Sequence, residues 1–224
     1  MHSNKNRNSI TEWLIPAALI ALSLVPVLAG TARLFELNNS AEITPANARF
    51  FASPLPVIVH IISVSLYAIL GAFQFAKGFR LRHTHWHRMI GKWLLVPAGL
   101  AAALSGLWMT LFYPWPAGDG VILYGERLLF GSAMLISVSL GVVALWRRDY
   151  TSHGEWMMRG YAIGLGAGTQ VLTHLPWMLL FGTPHEFTRA MLMGAGWIIN
   201  IAVVEWIIHR RQSHRTQAAL SYAR

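Results

Sequence analysis

A polytopic, all-α transmembrane bundle of about six spanning helices follows from three features of this chain. Six apolar runs, each near the ~20 residues a helix needs to cross a hydrocarbon layer, are separated by short polar connections. Hydrophobic residues make up 54% of the 224 and charged residues only 12%, about half the charged share of a soluble domain. The basic residues concentrate on alternate connections, which is the bias that orients membrane helices. Helices are required rather than a barrel, because the runs are continuously apolar and a backbone in lipid must satisfy its own hydrogen bonds. The chain reads as one integral membrane domain, 1–224, ending in a polar cytoplasmic tail over 209–224 that is expected to fray.

The runs are taken in chain order. The first, about 12–32, follows Lys5 and Arg7 and so also resembles a cleaved signal peptide; its length and the lack of a small-x-small site favour a retained helix. A polar connection at 33–53, the longest, is long enough for a short flap. The second run is 54–76 and the third 90–113, with five basic residues and three histidines between them in Lys77–Lys92. The fourth is 121–146. Ser152 followed by Glu155 is a capping-box pattern that starts a helix near His153, leading into the fifth run at 158–181. That run opens with Gly164 and Gly168 four apart, a face for close helix packing. The sixth is 188–208.

Lys5, Arg7, Lys77, Arg80, Arg82, Arg88, Lys92, Arg147, Arg148, Arg159, Arg210, Arg211, Arg215 and Arg224 fall on one side. Only Arg33, Arg49, Arg127 and Arg189 fall on the other. Fourteen of eighteen on one side predicts that both termini are cytoplasmic, in a cell (inner) membrane. The net charge of +9 therefore reads as topology and contact with anionic lipid, not as a nucleic-acid surface. Zero Cys excludes disulfides, iron–sulfur clusters and thiolate zinc sites.

Polar residues inside apolar runs are costly and mark candidate sites. His60 sits roughly 9 Å into the second run at 1.5 Å per residue, and His174 lies at similar depth in the fifth. With Glu126 and Arg127 they are candidates for one outer-leaflet pocket, alongside the interior amides Gln74 and Gln170. The bland reading pairs Glu126 with Arg127 and each His with a backbone carbonyl. On the inner side His83, His85 and His87 lack a nearby carboxylate and stand among arginines, which argues against a dedicated metal site.

Several fragments together resemble a bacterial membrane family, the domain-of-unknown-function family 2306. They are His60, Gly71-Ala-Phe-Gln-Phe75, His87-Arg-Met-Ile-Gly-Lys92, Ser105-Gly106 and His153-Gly-Glu-Trp-Met-Met-Arg-Gly-Tyr-Ala162. The chain departs from the family at Lys92 and Trp93, where an Arg and an aliphatic residue are usual, and Lys lacks a planar fork. The resemblance implies a membrane bundle and this residue list, and it implies no activity.

Three functions follow from the residues. Paired histidines on facing helices are what bis-imidazole b-type haem needs, so His60 with His174 and His87 with His153 are candidate ligands of a haem b electron carrier, whose partner is a quinone or another redox protein. Alternatively Arg88, Arg159 and Lys92 hold an anion or lipid head group at the inner face, in a binding or transport protein. The third is a structural membrane subunit.

Overall fold

The computed structural model describes residues 3–39 and 41–222, without the side chains of 3–12, 77, 218–220 and 222. Of the cations that set the expected topology, Arg224 and the side chains of Lys5, Arg7 and Lys77 thus lie outside the described residues. The described residues form helices and no strand: α1 (Ser3–Asn38), α2 (Ala48–Ala52), α3 (Pro54–Gln74), α4 (Lys77–Arg82), α5 (Thr84–Ile90), α6 (Val96–Phe112), α7 (Val121–Trp146), α8 (Tyr150–Gly164), α9 (Gly166–Phe181) and α10 (Glu186–Tyr222). Among them five stretches are long and apolar enough to cross a membrane: Trp13–Asn38, Pro54–Gln74, Thr84–Phe112, Val121–Trp146 and Glu186–Gln217. The all-α membrane bundle is as the sequence predicts.

The fifth run differs. It is broken at Leu165 into α8 and α9, neither of which is long enough to cross alone. Glycines flank the break, and two of the four glycines here are wedged against other helices. A Cβ on Gly166 would meet the Trp197 ring at 2.2 Å, and one on Gly168 would meet the Leu22 carbonyl oxygen at 2.3 Å. The close-packing reading of Gly164 and Gly168 is therefore split between two neighbours, since Gly164 faces the Tyr67 ring instead. Asn200 of α10 bridges the interruption: its amide donates to the Ala162 carbonyl at 2.9 Å, and Thr169 Oγ1 donates to its Oδ1 at 2.7 Å. The first bond gives a backbone carbonyl beside the break a partner in an apolar setting, and the second holds the Asn200 amide in place.

Three smaller expectations are corrected. The third span begins at α5 and passes through a wide π turn at Gly91–Leu95. Pro97 lacks an amide proton and its ring crowds the carbonyl four residues back, at Trp93, so the turn widens there. The cap of α8 is Asp149, whose carboxylate accepts from the Ser152 amide at 3.0 Å, three residues ahead of the expected start. Those bonds to Ser152 hold its carboxyl below the ordinary range. The tail after Arg211, expected to fray, stays helical through Tyr222. Contacts such as Gln212 to Glu155 tie its first turns to α8.

Around the bundle α1 packs on α3 and α9, α3 on α6, α6 on α7, α7 on α8 and α10, and α9 on α10; α8 also touches α3, α6 and α10 and stands at the centre. The core is built on Tyr67 and Tyr161, with Ala98, Ala102, Met134, Val138 and Ile163 around them. The Tyr161 hydroxyl donates to the Ala68 carbonyl at 2.7 Å, so the buried ring leaves no orphaned polar atom. Large apolar side chains such as Leu28, Leu179 and Trp206 point outward, as lipid-facing residues do.

Candidate functional site

The face carrying residues 41–53, 113–120 and 182–185 is called upper here; it is the side expected outside. A cavity of about 350 Å³ opens beneath it. Arg49 and Phe50 of α2, in the connection expected to be a short flap, are part of its lining. His60 of α3, Arg127 of α7 and Gln170 of α9 supply polar groups to the walls. Met109, Phe130, Met134, Met193 and Trp197 are among the residues that supply its apolar surface. A second void of about 210 Å³ lies toward α1 and shares His60, Val64, Gly164 and Ala167 with the first. The helix break thus forms part of the wall of both.

His60 is held in place by α6. Its Nδ1 lies 3.0 Å from the Ala102 carbonyl and 3.2 Å from Ser105 Oγ, and Gly106 leaves room for the ring. With a proton on Nδ1 donated to the Ala102 carbonyl, Nε2 keeps its lone pair. At the other end of the site, Gln170 donates through Nε2 to the Met193 carbonyl at 3.2 Å.

The mouth is organised by Asp119. Its side chain is only 3% exposed and lies between Arg127, 2.5 Å from Oδ2, and Arg189, 2.8 Å from Oδ1. Three elements meet at this carboxylate: the 113–120 connection, α7 and α10. Arg49 lies over the Phe50 ring at 4.6 Å, and Arg33 over the same ring at 4.8 Å. Burial lowers the Arg49 guanidinium from its ordinary value, an effect that Asp119 opposes and that Arg127 and Arg33 reinforce. Burial also raises the Tyr113 phenol beside it, whose hydroxyl donates to the Ser53 carbonyl at 2.5 Å.

Of the predicted pocket residues, His60, Arg127 and Gln170 line the cavity, while His174, Glu126 and Gln74 do not. Arg127 pairs with Asp119 rather than with Glu126. The Glu126 carboxyl packs on Gly194, its Oε2 buried without a partner. His174 bonds the Gln170 carbonyl of its own helix through Nδ1 at 2.8 Å, leaving Nε2 buried and unpartnered. His174 lines neither cavity, so the two rings do not share either of these spaces.

At the lower face, His87 and His153 lie within electrostatic range of one another, with Arg80 and Arg88 also near His87. His153 Nδ1 is 2.8 Å from the Gly141 carbonyl, which fixes the ring and leaves Nε2 as its free nitrogen. His87 Nδ1 and both amide atoms of Gln74 are buried without partners. His153 has the Nδ1 carbonyl partner that ligating rings carry, as His60 and His174 do, and His87 lacks one. Among the described residues no three His, Asp or Glu side chains converge as a metal site. Arg159 is engaged by Glu205 through two bonds, at 2.5 and 2.9 Å, and stacks over Trp156 at 4.7 Å. Arg88 is exposed, and Lys92 sits over the Trp93 ring at 4.8 Å.

Arg49 and Asp119 are the cavity residues that sequence reasoning missed. Their signal was present in the arginines of the upper side, which need a counter-charge. The family model described as "Predicted membrane protein (DUF2306)" matches residues 57–208. No curated protein and no solved structure matches the chain.

Proposed function

The chain belongs to the DUF2306 family of predicted membrane proteins, and on that footing we propose that it is a membrane-embedded binding protein that takes a small molecule into the cavity beneath α2. The observation that carries this reading is the cavity itself: about 350 Å³, apolar along most of its walls, with Arg49, Arg127, His60 and Gln170 converging on it. Ligand sites are characteristically concave and mostly apolar, with a few polar groups that fix orientation. Two further features support it. A short helix, α2, is part of the lining, and an interrupted span forms one wall, as in membrane proteins that bind cargo at broken helices.

Ala167 is on the walls of both voids and exposed, so a larger side chain there fills space without entering the core. Ala167→Phe is expected to melt within a few degrees of wild type and to lose whatever the wild type binds. Native mass spectrometry of both proteins in nanodiscs, before and after incubation with a bacterial lipid extract, reads this out. A variant holding the same bound mass as wild type overturns the reading. So does a wild type that carries no extra mass and gains no thermal stability from the extract.

A second reading, haem b between His87 and His153, is favoured by the nearness of the two rings, with His153 held on the Gly141 carbonyl. Such a haem would supply one-electron transfer. The expected result is a Soret band in protein purified from haem-replete cells, lost in His153→Ala. A colourless, folded preparation removes this reading and leaves the first untouched.

A further inference from the structure

The mouth of the cavity has an unequal charge balance. Arg33 pairs with Glu36, and Arg127 and Arg189 both pair with Asp119. Arg49 pairs with no carboxylate among the described residues. Its contacts are the Phe50 face and the Pro114 carbonyl at 3.4 Å, the limit of a hydrogen bond. Glu186 stands over Gly120 at the lip, outside the lining. A half-buried guanidinium has lost part of its water and gains most from an acceptor that carries charge.

Below the mouth the charges stop. Met109, Phe130, Met134 and Trp197 form the walls, and the polar groups deeper down are the imidazole of His60 and the amide of Gln170. A cation entering would meet two guanidiniums first. A small free anion would satisfy Arg49 and leave the apolar volume unfilled. The arrangement matches a molecule with a charged head and an apolar body.

Building on the binding reading of the cavity, we propose that its ligand is an anionic amphiphile, whose carboxylate or phosphate head is received by Arg49 and Arg127 and whose apolar body lies along Phe130, Met134 and Trp197 toward His60. Guanidinium suits both head groups because its planar fork donates two parallel bonds to either. Arg127 has donors to spare, since it shares the Asp119 carboxylate with Arg189 and carries five N–H groups.

The test uses the full chain in phosphatidylcholine nanodiscs, with decanoate and decyl phosphate as anionic probes. 1-Decanol and a short-chain ubiquinone are neutral probes, and acetate and inorganic phosphate are heads without bodies. Thermal stabilisation and native mass spectrometry report binding. Decanoate and decyl phosphate are expected to bind wild type best. Arg49→Gln should weaken both by about tenfold or more, as for a lost charge-assisted bond, and leave 1-decanol unchanged. Arg49→Lys, which keeps the charge without the fork, should recover part of the loss and guards against a folding defect. Ala167→Phe should weaken every amphiphile.

If 1-decanol or the ubiquinone binds as tightly as decanoate and Arg49→Gln changes nothing, the anionic head is overturned and the binding cavity stands. If acetate or phosphate alone binds as tightly as its decyl counterpart, the apolar body is overturned. If no probe binds wild type, the proposal falls. The cavity reading falls with it only when the lipid extract also leaves nothing for Ala167→Phe to lose.

Discussion

Gly168→Ala is expected to destabilise the bundle by about 2–3 kcal/mol, at the upper end of what one added methyl costs in a packed interior. The new Cβ would stand 2.3 Å from the Leu22 carbonyl oxygen, and a backbone atom cannot rotate aside. α1 would have to move off α9, and α1 otherwise holds to the bundle mainly through α3. Thermal unfolding in detergent measures the loss. Gly91→Ala is the control, because nothing lies within 4 Å of a Cβ at that position, and helix propensity alone should make it neutral or slightly stabilising. If the two variants unfold together, α1 is not seated on Gly168.

Asp119→Ala is the second large effect. Removing one partner from a buried ion pair costs about 3–5 kcal/mol. Arg127 and Arg189 have side chains 29% and 34% exposed, and water takes over part of their solvation, so about 2 kcal/mol is expected. The damage should be local to the upper face: faster hydrogen exchange in 113–120 and the first turns of α7 and α10, with α8 unchanged. Asp119→Asn should lose less, keeping the shape and one acceptor. A variant within about 0.5 kcal/mol of wild type, the range of ordinary surface substitutions, would mean that the carboxylate does not hold these three elements together.

The spans were legible because length and hydropathy are local properties of the chain, and lipid leaves the backbone few alternatives to a helix. The break at Leu165 was not. Gly164, Gly166 and Gly168 announce close packing, but which partner each meets depends on Tyr67, Trp197 and Leu22, far away in sequence. The tail was misread for the opposite reason: its polar composition suggests fraying, while Glu155 on α8 gives Gln212 something to bind.

The candidate site divides the same way. His60, Arg127 and Gln170 were readable as polar residues inside apolar runs, and the cavity does bring them to one space. Glu126 and His174 carry the same signal and point elsewhere, since depth along a helix says nothing about which way a side chain faces. Asp119 and Arg49 lie in connections, where polar residues are ordinary. Their importance comes only from the meeting of residues 49, 119, 127 and 189 in space.

The π turn at Gly91–Leu95 has a consequence for the motif that runs across it. A π turn holds one residue more than an α turn, and one residue corresponds to roughly 100° of rotation about the helix axis. α5 is therefore out of phase with α6 by that angle. His87 lies near His153 in a register that a straight helix continuing α6 would not give it. The stretch Gly91–Leu95 thus acts as an angular offset, and replacing the wide turn with a regular one would swing the His87 imidazole to a different side of the helix without moving any other span.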